Sequence, residues 1–261
     1  MKLTALMTIY NEAEFVEYAI RACLLYVDNL VIVEGAYQET INTGRSPRSS
    51  DDTNEIVSRI MQEECNREEN CKIYYIQANE KSDKDQRNVG LKIAKEIGTD
   101  WLLIIDGDEV YQQHTFKMIR NLARILEGTE IYCSYFTSIT FVNDLNHYTN
   151  QEFPRLFKVT PGCYFVNDNY MTWIDNKGFT NPDTQRTIKT PNIKYHHYAF
   201  CKGTERFLSK KQWWETRFAN KKFEYDWYVD ENGKLYSPNH KIFKYTGRHP
   251  EVMKTHKLYK K

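Results

Sequence analysis

The sequence predicts an α/β protein with a mainly parallel central sheet flanked by helices. Several short runs of consecutive apolar residues are typical of strands that are buried on both faces of such a sheet. Between these runs, apolar residues recur every three or four positions, which predicts amphipathic helices. The resulting β-α-β-α-β-α-β order of the first half predicts right-handed crossover connections.

The elements of the first half can be assigned in order. Strands are predicted at residues 3–9, 30–33, 73–76 and 101–105. Helices are predicted near residues 15–26, from Asp51-Asp52-Thr53 onward, and at 85–98 and 115–126. The polar stretch 36–50, which contains Gly44 and Pro47, predicts a long loop.

The second half has a different pattern. Residues 130–142 are rich in strand-forming residues, and Pro154 and Pro161-Gly162 predict short strands joined by turns over 153–165. From residue 196 onward the chain is rich in aromatic residues. There is no linker rich in Gly, Ser or Pro, so residues 1–261 are predicted to form one domain with halves of about 1–110 and 111–261.

Charge and composition exclude several classes of partner. The formal net charge of +1 gives no reason to expect nucleic acid as a partner. The sequence has no apolar run of the roughly 20 residues needed to span a bilayer and no signal-peptide pattern at its start. At most, the basic residues 254–261 predict peripheral membrane contact.

The cysteines predict a cytoplasmic location. They are scattered, with neither a C-x-x-C pair nor a zinc-site spacing, which is typical of reduced thiols in the cytoplasm. A bridge between Cys65 and Cys71 is the one alternative that their spacing leaves open.

Carboxylates follow the fourth predicted strand. Asp106-Gly107-Asp108-Glu109 comes directly after the apolar run 101–105. An acidic turn that ends a strand is one interpretation. The other is a cation site, because hard oxygen ligands favour Mg²⁺ or Mn²⁺ bridging to a substrate phosphate.

Polar residues also follow two other strands, Thr8 to Asn11 after the first and Glu34 after the second. The carboxyl ends of parallel strands lie at one edge of a sheet, where open α/β sheets bind ligands. Tyr10-Asn11 stands where a dinucleotide fold would have a glycine-rich turn, and no P-loop motif occurs. A nucleotide and metal site of another kind is therefore predicted.

Several motifs in one order resemble the family 2 glycosyltransferases of the GT-A fold, which contain a D-x-D motif. The resemblance covers residues 2–158 well, and weaker matches occur near 196–198 and 247–250. The motifs that carry it are Thr8-Ile9-Tyr10-Asn11-Glu12, Val31-Ile32-Val33-Glu34-Gly35, Asp51-Asp52-Thr53, Gln86-Arg87-Asn88-Val89-Gly90-Leu91, Trp101 to Val110 and Pro154-Arg155-Leu156-Phe157-Lys158. The resemblance implies a GT-A-like fold with a nucleotide-sugar-binding half and an acceptor-binding half.

The resemblance also implies the reaction, which is an inverting transfer of a sugar from a nucleotide-diphosphate donor to a saccharide or lipid-linked glycan. The expected donor is a UDP-sugar. Mn²⁺ or Mg²⁺ would act as a Lewis acid on the leaving diphosphate. Asp106 and Asp108 match the D-x-D that holds the metal, and Asp106 also matches the ribose contact. Glu34 matches an acidic residue that meets the base or ribose, and Thr8, Tyr10 and Asn11 belong to the same nucleotide-binding group.

Arg87 and His197 are further candidates. A guanidinium at the start of a helix suits the donor phosphates, whereas pairing with Asp83 or Asp85 is the structural alternative. The resemblance implies that His197 is a further metal or phosphate ligand, with His196 as the alternative if the register differs by one residue. A core histidine bonded to the backbone is the structural interpretation.

An inverting transfer needs a general base for the acceptor hydroxyl. The resemblance implies a carboxylate from the acceptor half, and Asp168 is the first candidate and Asp175 the second. An ordinary turn residue remains the alternative interpretation for each.

Other functions remain open. The same fold could support nucleotidyl transfer to a sugar phosphate, although the glycine-rich first loop expected there is missing. A non-catalytic saccharide-binding protein is a further alternative. A metal-dependent nuclease could also use these carboxylates, but the chain has no basic stripe for nucleic acid.

Overall fold

The first half alternates strands and helices as predicted. The computed structural model describes residues 1–67, 72–175, 178–180, 186–217 and 226–259. The elements of the first half are β1 (Leu3–Ile9), α1 (Val16–Leu24), β2 (Asn29–Glu34), α2 (Gln38–Ile41), α3 (Thr53–Arg67), β3 (Ile73–Gln77), α4 (Asp83–Glu96) and β4 (Trp101–Ile104). β1, β2 and β4 form because their apolar runs are buried on both faces, whereas β3 lies at the edge of the sheet and is only partly buried.

The second half is β-rich, as predicted. The elements after β4 are β5 (Glu109–Val110), α5 (Gln113–Leu126), β6 (Cys133–Val142), β7 (His147–Lys158), β8 (Tyr164–Phe165), β9 (Met171–Asp175), β10 (Gly178–Thr180), β11 (Thr187–Phe200), α6 (Thr204–Arg217), β12 (Tyr228–Val229), β13 (Leu235–Tyr236), β14 (Phe243–Lys244) and a 3₁₀ helix (Glu251–Thr255).

One sheet runs through both predicted halves, in the order β3-β2-β1-β4-β7-β6-β11-β5, with β14 also paired to β7. The predicted α/β class is confirmed. The strands of the first half pair in parallel. Antiparallel pairing begins where β7 joins β4, although β6 and β11 are parallel. The sheet is therefore parallel at the end where the candidate residues lie and mixed beyond it.

Two local predictions were wrong. The stretch 36–50 contains the one-turn helix α2, and residues 147–158 form one long strand where short strands were expected. Pro154 lies inside this strand at a bulge, since the register shifts between Ser134 and Tyr135, the residue opposite Pro154. A bulge tolerates the missing N–H of proline. From the sequence alone, a proline instead predicts the end of a strand.

Apolar clusters cover both faces of the sheet. On one face, α1 and α5 pack against β1 and β4, and on the other, Leu91 and Ala94 of α4 pack against Leu6. A Cβ atom at Gly90 would lie 2.2 Å from Cδ1 of Leu6, so α4 approaches β1 closely. This contact holds the start of α4 near the carboxyl end of β1.

None of the helices in the described ranges combines the length and apolarity needed to cross a membrane. Within those ranges Cys23, Cys133, Cys163 and Cys201 form no disulfide. Cys71 lies outside the described residues.

Candidate functional site

A cleft lies at the carboxyl ends of β1 and β4. The chain runs outward from β1 through β2 to β3, and β4 then lies on the other side of β1. Ligands of open α/β sheets bind at such a reversal of strand order. The cleft volume is about 710 Å³, within the range of about 300–1,000 Å³ that is usual for ligand sites.

Both halves of the chain line this cleft. The first half contributes the ends of β1 and β4 and the start of α4, and the second contributes β7, the loop before β9, the end of β11 and α6. Most of the residues predicted from the sequence are among the lining residues: Thr8, Tyr10, Asn11, Arg87, Asp106, Asp108, Asp168 and His197.

The turn after β1 is held by the loop that follows α2. Asn11 has a left-handed backbone, with φ of 54°. Its backbone N–H donates to Ser49 Oγ at 2.9 Å, and its Oδ1 accepts from the Ser50 N–H at 2.8 Å. The Tyr10 hydroxyl donates to the Ser46 carbonyl. These contacts keep an uncommon conformation that turns Tyr10 and Asn11 toward the cleft.

Asp106 is paired with two arginines. Oδ1 lies 3.4 Å from Nη2 of Arg87, and Oδ2 lies 2.9 Å from Nη2 of Arg155. Burial raises the pKa of Asp106, but Arg155 and Arg87 outweigh it and hold that pKa below its usual value. Arg87 also pairs with Asp83 at 3.1 Å and is nearly buried. It is thus part of the cleft wall rather than a surface arginine.

Asp108 is paired with a lysine and a histidine. Oδ2 lies 2.6 Å from Nζ of Lys202, and Oδ1 lies 3.3 Å from Nε2 of His197. Burial raises the pKa of Asp108, but Lys202 and His197 outweigh it and hold that pKa well below its usual range. The carboxylate is therefore ionised at neutral pH.

Alternation along β11 separates the two adjacent histidines. His197 borders the cleft and contacts Thr140 as well as Asp108. His196 points to the other face of the strand, where its Nε2 lies 2.7 Å from the hydroxyl of Tyr245. Burial lowers the pKa of His196 to about 3, so it is neutral. The alternative register, with His196 in the site, is therefore wrong.

Glu109 is fully buried behind the cleft. It contacts Arg155, and its Oε2 accepts a hydrogen bond from the Asp106 N–H at 3.2 Å. Burial raises the pKa of Glu109 to about 7 against the opposing charge of Arg155. Glu109 therefore supports Asp106 and Arg155 and has no surface for a ligand.

Glu34 is fully buried at the end of β2. Its Oε1 accepts a hydrogen bond from the Ser49 N–H at 2.8 Å, and its Oε2 lies 4.0 Å from Nη1 of Arg48. The side chain holds the same loop that contacts Asn11. Its position supports an indirect role, and direct contact with a base or ribose stays a prediction.

The loop with Asp168 is attached to α4. Asn88 donates through Nδ2 to the Phe165 carbonyl at 3.0 Å and accepts from the Phe165 N–H at 2.8 Å. Asn167 Oδ1 accepts from the N–H groups two and three residues later, which shapes a turn with Asp168 at the cleft. The second candidate base, Asp175, belongs to β9, but its side chain lies outside the described residues.

Some charged residues of the cleft had no predicted role: Glu12, Arg155, Lys202 and Arg206. Glu12 and Arg155 lie within motifs that resemble the glycosyltransferase family, so those motifs could have identified them as candidates. Lys202, Arg206 and Lys210 are spaced four residues apart, which is the spacing of one helix face. That basic spacing within the aromatic-rich region is the pattern that could have identified them.

The oxygens of the predicted metal ligands are already engaged. Each carboxylate oxygen of Asp106 and Asp108 already faces a basic side chain. In the described parts of the chain, no group of three His, Cys, Asp or Glu residues could hold a metal ion. This donor set therefore does not fit Mn²⁺ or Mg²⁺ in the observed arrangement, and the metal stays a prediction.

No family model and no curated protein matches the chain. Among solved structures, residues 1–349 of S. aureus TarS have a TM-score of 0.45 at 11% identity, over 86% of this chain and 67% of that chain. The same fragment in complex with UDP has a TM-score of 0.46 at 12% identity, and the match again covers 86% of this chain and 67% of that chain. The match to the whole TarS chain covers 41% of that chain.

A second protein is similar at a lower level. The 4-diphosphocytidyl-2C-methyl-D-erythritol synthase of Anaerococcus prevotii has a TM-score of 0.37 at 10% identity, over 85% of this chain and 77% of that chain. At these scores the functional conclusion has to rest on the cleft residues themselves.

Proposed function

We propose that this chain is a glycosyltransferase that binds a nucleotide-diphosphate sugar in the cleft and transfers the sugar to a hydroxyl of a saccharide or lipid-linked glycan. One observation carries the proposal. A cleft at the reversal of strand order combines buried cations with the Asp106 and Asp108 carboxylates and with a separate carboxylate, Asp168, on a loop of the second half.

The cleft contains basic side chains that suit a diphosphate, although six Asp and Glu residues line it as well. Its lining includes the basic residues Arg45, Arg87, Arg155, Lys202, Arg206 and Lys210. Guanidinium and ammonium groups bind phosphate oxygens through charge-assisted hydrogen bonds. Thr8, Tyr10 and Asn11 at the end of β1 provide the polar and aromatic contacts for the nucleoside, and a UDP-sugar is the donor that we propose.

The transfer step needs a base and a leaving group. The acceptor hydroxyl oxygen would attack the anomeric carbon while the bond from that carbon to the diphosphate oxygen breaks, with inversion. The electron pair of the broken bond leaves with the nucleoside diphosphate, and Asp168 takes the hydroxyl proton. Cationic side chains would stabilise the charge that develops on the leaving diphosphate. Metal dependence stays a prediction from the sequence, and no step here depends on it.

Calorimetry with UDP and GDP, in EDTA and in Mn²⁺, tests the proposal. We expect one of the two nucleotides to bind in at least one buffer. Asp106→Asn should weaken that binding by roughly tenfold, because the variant removes the charge that orients Arg87 and Arg155. Asp52→Asn is the matched control, because Asp52 is exposed at the start of α3 and Asn caps a helix equally well.

Two results would contradict the proposal. One is that neither nucleotide binds in either buffer. The other is release of pyrophosphate from a nucleoside triphosphate and a sugar phosphate, which would indicate nucleotidyl transfer instead.

A further inference from the structure

Lys202 contacts Asp108, one of the two predicted metal ligands. Its Nζ lies 2.6 Å from Asp108 Oδ2 and also contacts the carboxylate of Glu12. The side chain is 5% exposed, yet it borders the cleft. The cleft therefore contains, at this point, a buried basic side chain held by two carboxylates.

Other cations extend the charge of Lys202 along one wall. Nη2 of Arg206 lies 3.0 Å from Oε1 of Glu12, so that carboxylate joins both basic side chains. Lys210 also borders the cleft. The turn after β11 and the start of α6 thus present three basic side chains to the cleft.

These groups keep hydrogen-bonding capacity for a ligand. An ammonium has three donors, of which the contacts with Asp108 and Glu12 use two. A guanidinium has five, and Arg206 uses Nη2 for Glu12. The rest can donate to the oxygens of a diphosphate. The carboxylates would hold the two cations in place, as the carboxylate partners of catalytic groups commonly do.

We propose that Lys202, together with Arg206, provides the positive charge that binds the donor diphosphate, so that the donor binds without a divalent cation. This inference rests on the proposed function. For a metal ion to reach Asp108 Oδ2, it would have to displace the buried Lys202 ammonium from that oxygen and from Glu12. The Asp106 and Asp108 pair then serves to hold basic side chains instead of a metal.

The test is calorimetry with the nucleotide, UDP or GDP, that the wild-type chain binds. We expect its Kd in EDTA to equal its Kd in Mn²⁺ to within about threefold, a difference of less than 1 kcal/mol. Lys202→Met should weaken binding in EDTA by roughly 30-fold, since charge-assisted hydrogen bonds are lost. Lys189→Met is the matched control, because Lys189 is 70% exposed and pairs with Glu152 away from the cleft.

A second variant separates binding from folding. Lys202→Met removes a cation from the buried Asp108 carboxylate and from the partly buried Glu12 carboxylate, so the variant can lose stability. In Glu12→Gln/Lys202→Met one negative charge is removed with the positive one. A urea midpoint near that of the wild type shows that the double variant is folded, and its nucleotide binding in EDTA should still be lost.

The outcomes distinguish this inference from the function on which it rests. Wild-type binding that needs Mn²⁺ would overturn the role of Lys202 and leave the glycosyltransferase proposal standing. Tighter binding by Lys202→Met in Mn²⁺ would also overturn it, because the lysine would then merely block a metal site. Absence of binding in both buffers would overturn the proposed function itself.

Discussion

Nη2 of Arg155 lies 2.9 Å from Oδ2 of Asp106 and also contacts Glu109. Arg155 comes from β7 in the second half of the chain, whereas both acidic residues follow β4 in the first half. Because β7 pairs with β4 in the sheet, one guanidinium joins two acidic residues that lie three positions apart. This contact ties the predicted halves together at the base of the cleft.

Arg155→Met should destabilise the protein by about 3–5 kcal/mol, because it removes the ion-pair partner of the buried Glu109 carboxylate and leaves Asp106 with Arg87 alone. Urea denaturation at pH 7 measures the change. Arg59→Met is the matched control, since Arg59 is 49% exposed and its pair with Glu17 is a surface pair, for which about 0–1 kcal/mol is usual. Equal losses in the two variants would contradict a structural role for Arg155.

Asp168→Asn should lower kcat by roughly 10²–10⁴-fold, because it removes the proposed base. The affinity for the nucleotide should remain, since the proposed role of Asp168 is toward the acceptor hydroxyl and not toward the nucleotide. Initial rates of sugar transfer and calorimetry with the nucleotide measure the two quantities. The Asp52→Asn control should keep both. A normal kcat in Asp168→Asn would exclude Asp168 as the base.

Gly107→Ala should cost roughly 1–3 kcal/mol, because a Cβ atom would lie 2.9 Å from Cγ of Glu12. Since Glu12 contacts Lys202, nucleotide binding should weaken as well. Thermal unfolding and calorimetry measure the two effects. Gly128→Ala is the control, because no atom lies within 4 Å of an added Cβ at Gly128. Wild-type behaviour of Gly107→Ala would mean that the turn adapts without moving Glu12.

The stability of the protein should fall as the pH drops below neutral, in part because of His196. An unfolded histidine gains its proton near pH 6.5, whereas burial lowers the pKa of folded His196 to about 3. The folded-state pKa is lowered, so the contribution is complete above pH 6.5 and is lost progressively toward pH 3.

His196→Phe keeps a ring against Phe141 but removes this titration. Between pH 7 and pH 5, its free energy of unfolding should decrease by about 2 kcal/mol less than that of the wild type. Urea denaturation at the two pH values measures the difference. An identical slope in His196→Phe and the wild type would show that His196 does not contribute.

Much of the first half could be predicted from local pattern alone. The strand at residues 3–9 was predicted with its observed bounds, because a strand buried on both faces is a continuous apolar run that is visible in the local sequence. The long strand β7 was missed, because its bulge at Pro154 depends on the partner strand β6.

The sequence by itself determined that Asp106 and Asp108 end a buried strand and that Tyr10 and Asn11 end its neighbour. Those are consequences of burial and of parallel pairing, which short segments encode. Only the tertiary structure decided which charges face these carboxylates. Arg155 lies 49 residues from Asp106, and Lys202 lies 190 residues from Glu12. Electrostatic partners depend on distance in space, which the order of strands in the sheet sets, so local pattern could not reveal that the predicted metal ligands hold basic side chains.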